Sequence, residues 1–339
     1  MGLIMKIILD TMGGDNAPNA IVQGCVAAMA ELPDIQVTMT GDKEAIADCL
    51  NGLDFDEDRL DIVHTTQVIE MEDSPVKATQ EKTDSSMVVA LNLLKANPDA
   101  MLISAGSTGA LVAGATLIVK RVAGIKRPAL APVLPSLGGE VMLIDCGANA
   151  DCKPQYLEQF GIMGSIYMNK VFGVERPRVG LINNGAEAEK GSELTKAAYK
   201  LLADAPINFV GNAEGRDLLA GGFDVLVCDG FTGNIVLKFL EGCAKTILGM
   251  LKGYVMESAS AKIGYAFMKG AFGKLKKKMD YSEYGGALLL GINGGVMKSH
   301  GSSDAKAIYH SMIAASKFLE GDVVGVIKKE VAKVSRNKK

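Results

Sequence analysis

Asp10-Thr-Met-Gly-Gly-Asp15, set directly after the apolar run Ile7-Ile-Leu9, is the first of five turns of one kind. The others are Ser104-Ala-Gly-Ser-Thr-Gly-Ala110, Asp145-Cys-Gly-Ala-Asn149, Asn183-Asn-Gly185 and Asp229-Gly-Phe-Thr-Gly-Asn234. Each follows a short apolar run: Met101–Ile103, Val141–Ile144, Val179–Ile182 and Val225–Cys228. Helix-compatible segments follow most of them, so the repeating unit is strand, polar glycine turn, helix. That alternation predicts an α/β fold, a three-layer doubly wound and mostly parallel sheet. In such sheets the turns gather at the carboxyl edge, where ligands bind. Glycine there lets backbone N–H groups approach an anion, and the helix N-terminus behind adds positive potential.

Composition narrows the class. The 339 residues are 48% apolar but only 5% aromatic, with no tryptophan, as a sheet covered by helices on both faces requires. A net charge of −3 gives no electrostatic basis for general nucleic-acid binding. The six cysteines lie in apolar or helical contexts without C-x-x-C spacing, which reads as reduced thiols in a cytosolic protein. The three histidines form no metal-ligand pattern, so no metal and no cofactor is expected. The N-terminal stretch lacks the charged and long apolar regions of a signal peptide, and no run of about 18 apolar residues exists to span a membrane.

Helices are expected over 85–96, 111–120, 156–171, 194–202 and 235–251, within one domain covering 1–339. Its strands are read as one continuous sheet, and a second lobe, if present, would begin near Asp151. The pattern changes at about 256–284. Phe267, Met268, Phe272, Leu275 and Met279 fall mostly three or four apart, while Lys269, Lys274, Lys276, Lys277 and Lys278 fill much of the remaining circumference. A protruding amphipathic helix would meet either an anionic membrane surface or an acidic partner protein; a core-facing helix with a solvated lysine face is the other reading.

Together with Gly211-Asn-Ala-Glu-Gly-Arg-Asp217, Gly285-Gly-Ala-Leu-Leu-Leu-Gly291 and Ser299-His-Gly-Ser-Ser303, the five turns resemble the bacterial phosphate acyltransferases of phospholipid synthesis, in family order along almost the whole chain. Ser107 and Leu288 depart from the family pattern, where Asn and Pro are usual. The resemblance implies transfer of a fatty acyl group from acyl carrier protein to inorganic phosphate. It also implies a fold similar to that of phosphotransacetylases and isocitrate/isopropylmalate dehydrogenases. A cytoplasmic homodimer, peripherally associated with the inner face of the membrane, is implied as well.

Phosphate is already a nucleophile and a thiolate a fair leaving group, so the site must supply alignment, charge relief and oxyanion donors. Lys190 and Asn234 are the expected catalytic residues, Lys190 holding phosphate and Asn234 donating to the oxyanion or phosphate. Asp10, Asp15 and Asp229 are expected to hold loop amides or orient Lys190. Asn149, Asn184 and Asn212 are neutral donors, and Glu214 either carries a proton or pairs with Arg216. His300 would touch phosphate or the carrier's phosphopantetheine. Gly13, Gly14, Ser107, Thr232 and Gly233 complete the expected substrate-binding turns. A phosphotransacetylase-like enzyme using acyl-CoA and a membrane-surface scaffold are the competing readings. A nicotinamide dehydrogenase is weaker, because the first turn is not G-x-G-x-x-G.

Overall fold

The computed structural model describes residues 4–279 and 285–337, and the side chains of Lys276, Met279 and residues 334–337 lie outside the described set. Two residues of the amphipathic stripe, Lys276 and Met279, and the end of the 256–284 segment therefore fall outside it in part or whole. The strands are β1 (Met5–Asp10), β2 (Ile35–Gly41), β3 (Leu60–His64), β4 (Met101–Ser104), β5 (Ala129–Ala131) and β6 (Val133–Ser136). They continue with β7 (Gly139–Ile144), β8 (Arg178–Ile182), β9 (Asn208–Ala213), β10 (Val225–Val227), β11 (Ala287–Leu290) and β12 (Gly295–Lys298). The long helices are α1 (Asn19–Glu31), α2 (Lys43–Leu50), α3 (Pro75–Glu81), α4 (Ser86–Ala96), α5 (Thr108–Gly114) and α6 (Pro154–Phe172). After them come α7 (Glu193–Ala203), α8 (Gly230–Glu257), α9 (Ala259–Met279), α10 (Ala305–Glu320) and α11 (Val323–Asn337).

The α/β class and the dominance of parallel pairing hold, but the strands form two sheets rather than one continuous sheet. The first runs β3-β2-β1-β4-β12-β11-β5 and the second β6-β7-β10-β8-β9. Parallel pairs fill both centres; β11 and β6 supply the antiparallel ones. The division falls at Pro132, between β5 of one sheet and β6 of the other. Proline has no N–H to continue a ladder, so the chain changes sheet there. The second sheet thus opens at Val133, ahead of Asp151.

Alternation along the strands sets the layers. Ile8, Leu102, Leu289 and Val296 face one side of the first sheet and bury against α4 and α5 residues such as Leu91 and Leu111. Ile7, Leu9, Met101 and Ile103 face the other side, with Val22 of α1 and Ile308 of α10. This second core continues without a break to Ile144, Leu181 and Val227 of the second sheet and Phe160 of α6. Five helix starts are capped by polar side chains, three of them from serines. Ser85, Ser107, Ser192, Asp229 and Asp304 each accept a backbone N–H from the first turn of the helix they precede, worth roughly 1 kcal/mol apiece.

Candidate active site

Three adjacent parallel strands of the first sheet end in polar side chains: β1 at Asp10, β4 at Ser104 and β12 at Lys298. Asp10 is buried and accepts hydrogen bonds from Ser86 Oγ and Ser104 Oγ, both at 2.6 Å. Burial raises its pKa, and the two hydroxyls and Lys298 oppose that rise. Lys298 is itself buried, and its ammonium donates to the carbonyls of Ala105, at 3.2 Å, and Ser299. Burial pulls its pKa down to about 8 against the attraction of Asp10 and Asp15. Gly13 lets the first turn close on the next: a Cβ there would stand 2.6 Å from Asp10 Oδ2 and 2.8 Å from Gly106 N. Gly14 takes φ +104°, and the Asp15 N–H beyond it donates to Gly301 O at 2.8 Å, while the Asp15 side chain is exposed. Ser107 is spent on capping α5, and His300 Nδ1 lies 2.8 Å from Ser302 Oγ.

The second sheet's edge is organised by Asp145. Its Oδ1 accepts from the N–H groups of Leu130 and Ala148, and its Oδ2 from the backbone and side chain of Asn149. Asn149 Nδ2 also donates to Pro128 O at 2.7 Å, so that amide serves the loop rather than a ligand. Asp229 caps α8 through the N–H and the hydroxyl of Thr232, which accounts for both residues. Gly233 is required by close approach, since a Cβ would lie 1.9 Å from Asp145 O. One residue on, Asn234 opens the second turn of α8, half-buried and with no side-chain hydrogen bond among the described residues.

Between the two edges lies a cavity of about 810 Å³. Its walls are mainly apolar: Val112, Ala113 and Leu117 from the α5 segment, Val133 and Leu134 from β6, and Leu237 from α8. Polar groups gather on its lining at Thr108, Asn234, Lys298, Ser299 and His300, with Lys238 and Glu241 one and two turns along α8. Cys146 also lines it, but burial first and Cys228 second push its thiol well above the ordinary range, so it stays neutral. An elongated apolar tail with a polar head fits such a lining.

The structure does not bring all the expected residues into that cavity. Lys190 is exposed on the loop between β8 and α7, outside the lining. The loop is braced: Asn183 Nδ2 donates to Lys190 O, and Asn212 Nδ2 donates to Glu187 O at 2.7 Å. Asn212 is thus spoken for on its donor side, while its buried Oδ1 has no partner among the described residues. Asn184 is exposed, and Glu214 pairs with Arg216 while capping a short helical turn with Asp217. Two residues escaped sequence reasoning. Asp145 stood inside a quoted turn, and Lys298 ends the apolar run Gly295-Val-Met-Lys298, where one lysine closing a buried strand was the available signal.

Beyond Glu241, α8 leaves the body and pairs with α9, with the break at Ser258, whose Oγ accepts Ala261 N. Exposed apolar side chains run along both helices, from Phe239 (71%) through Ile247, Tyr254 and Ile263 to Phe267 (88%) and Met268. Lys269, Lys274, Lys277 and Lys278 are exposed with them. Phe272, by contrast, is half-buried and stacks on Tyr265 at 5.2 Å. Among the described residues no helix is long and apolar enough to cross a membrane.

Residues 5–325 match the model of the family described as "Fatty acid synthesis protein". A phosphate acyltransferase of Clostridium perfringens (strain SM101 / Type A) is 49% identical over 332 residues, covering 98% of each chain. Among solved structures, a phosphotransacetylase from Streptococcus pyogenes superposes with a TM-score of 0.59 at 17% identity, over 93% of this chain and 94% of its own. A branched-chain phosphotransacylase from Enterococcus faecalis V583 gives 0.57 at 15% identity, over 93% and 99%. These two likenesses concern the fold, and they agree with the expected isocitrate/isopropylmalate dehydrogenase-like architecture. The chain belongs to the fatty acid synthesis protein family, whose curated relatives bear the name phosphate acyltransferase.

Proposed function

We propose that this member of the family transfers a fatty acyl group from acyl carrier protein to inorganic phosphate, supplying acyl phosphate to phospholipid synthesis. The observation that carries the reading is the cavity, apolar over most of its walls and polar where Asn234, Lys298 and His300 converge at two sheet edges. The acyl tail lies along Val112, Leu117, Val133, Leu134 and Leu237, which holds the thioester carbonyl at the polar end. A phosphate oxygen attacks that carbonyl carbon, the C–O bond forms, the C–S bond breaks, and the carrier thiol departs with a proton. Asn234 donates to the oxygen that gains charge, the role a side-chain amide fills in an oxyanion hole. Lys190 contributes its charge from the braced loop at the neighbouring strand end. No cofactor is called for, because neither bond change needs one.

The exposed apolar and lysine-bearing faces of α8 and α9 support peripheral attachment to an anionic membrane, or docking of the acidic carrier. A homodimer in the cytoplasm completes the reading. The deciding experiment measures acyl phosphate from palmitoyl-acyl carrier protein and phosphate. Wild type should form it, Asn234→Ala should lose a hundredfold or more, since a single oxyanion donor is worth about 10²–10³ in kcat, and Lys190→Ala should lower the rate by removing a charge near the site. Wild type that makes acyl phosphate only from acyl-CoA would favour the phosphotransacetylase-like alternative.

A further inference from the structure

Lys298 stands out among the groups on the cavity lining because it is buried while no carboxylate oxygen is in ion-pair contact with its charge among the described residues. The residue is only 8% exposed. Its ammonium donates to two backbone carbonyls, of Ala105 and Ser299, and no carboxylate oxygen lies within ion-pair distance of it among the described residues. Asp10, its neighbour at the same sheet edge, turns both oxygens to serine hydroxyls instead. Asp15 is exposed and acts on it only through space.

Burying a cation without a counter-ion is costly unless something compensates it. Carbonyls satisfy hydrogens but not net charge, and an ammonium has three hydrogens to give. The cavity lining meets this lysine together with Ser299, His300 and the start of α5 at Thr108 and Gly109. The titratable groups on that lining are Lys298, His300, Lys238, Glu241 and the neutral Cys146. Burial raises the pKa of Glu241, and His300 and Lys238 oppose it, so that carboxylate already has cationic company on its own side. Burial raises the pKa of Asp10 too, against the hydroxyls of Ser104 and Ser86 and the charge of Lys298.

The geometry points to Lys298 as the residue that binds the phosphate nucleophile inside the cavity, the dianion giving this buried ammonium the contact ion pair that no carboxylate gives it among the described residues. This rests on the acyl-to-phosphate reading above and adds a residue to it. Lys298 then touches the attacking group, whereas Lys190 acts from the loop outside the lining.

The test separates the two readings. Phosphate affinity is measured without acyl donor, by the rise in Tm on adding inorganic phosphate at constant ionic strength. Initial rates then give KM for phosphate and KM for acyl-carrier protein. Lys298→Gln keeps an amide donor for the Ala105 and Ser299 carbonyls while removing the charge, and Lys298→Arg keeps the charge. Phosphate should stabilise wild type, and Lys298→Gln should lose that stabilisation and raise KM for phosphate tenfold or more with KM for the acyl donor within twofold. Lys298→Arg should recover part of the phosphate affinity. A folded Lys298→Gln with unchanged phosphate affinity overturns the inference. Should Lys298→Gln fail to fold, wild type decides through the rate of reductive methylation of Lys298, followed by mass spectrometry. Slowing by phosphate but not by chloride supports the site, and equal rates overturn it. Phosphate binding lost in Lys298→Gln, with no acyl phosphate ever formed by wild type, would sink the proposed reaction and leave the anion site standing.

Discussion

Replacing Asp145 tests whether one buried carboxylate holds the wall of the cavity. Its two oxygens collect four hydrogen bonds, from Leu130 N at 2.8 Å, Ala148 N at 3.2 Å, Asn149 N at 2.7 Å and Asn149 Nδ2 at 2.8 Å. Asp145→Ala strands these donors unequally. Leu130 is buried, so its N–H bears about 2 kcal/mol of the cost of a buried donor left unpaired. Ala148 and Asn149 are half-buried and regain water in part, for about 1 kcal/mol each. Asn149 Nδ2 keeps Pro128 O and adds little. The expected loss is about 4 kcal/mol in all. Asp145→Asn preserves shape but turns an NH2 group toward two donors on one side, for about 2 kcal/mol, less whatever is recovered by no longer burying a charge. Urea unfolding gives both values, with the slope unchanged if only the native state is affected. An Asp145→Ala protein within about 1 kcal/mol of wild type would refute the idea that this carboxylate carries the loop.

The pH dependence of Lys298 has a fixed sign. Its pKa is about 8 when folded against 10.5 when free, so between these values the unfolded chain holds more protons and stability contributed by this group rises with pH. In the absence of phosphate, Lys298→Met should therefore gain most on wild type below pH 8. That relative gain should shrink by about 3 kcal/mol on approaching pH 10.5, and a difference independent of pH would contradict it. Gly233→Ala should destabilise by about 3 kcal/mol or prevent folding, because the atom it meets is backbone. Gly242→Ala, in the same helix with open space around it, should stabilise by about 0.5–1 kcal/mol in the same assay. On the α8–α9 hairpin, Phe267→Glu should abolish co-sedimentation with anionic vesicles and added salt should weaken wild type. Undiminished binding by Phe267→Glu would remove that surface from membrane attachment. Phe272→Glu is the poorer probe, since that ring is already stacked on Tyr265.

The local units were legible because each is written within a few consecutive residues. The runs ending at Asp10, Ser104, Ile144 and Ile182 are strands, and after two of them a serine, Ser107 or Ser192, caps the helix that follows. The first prediction to give way was the single sheet. The strands that part the two sheets are three to six residues long, and β12 finds its place between β4 and β11 through packing partners that no periodicity encodes. The candidate site divides on the same line. Asn234 was legible from a glycine turn and does reach the cavity. Lys190 reads in sequence as a lysine near such a turn, yet which way a loop side chain faces depends on braces such as Asn212, which is close in space and distant in sequence. Lys298 was hidden because a charge ending a buried strand looks, in sequence, like an ordinary exposed end.

The place of β12 also bears on how the chain is made. Residues 101–104 form the strand against which β12 docks, but residues 295–298 leave the ribosome much later. At roughly 5–20 residues per second, the 194 residues from 104 to 298 (298 − 104) take about 10–40 s of synthesis. Throughout that interval the nascent first sheet carries an open, fully apolar edge at Met101–Ile103, of the kind that invites pairing with other chains. A pause or truncation between these points would leave that edge uncovered, so the strand that the finished sheet encloses is the one that the growing polypeptide exposes longest.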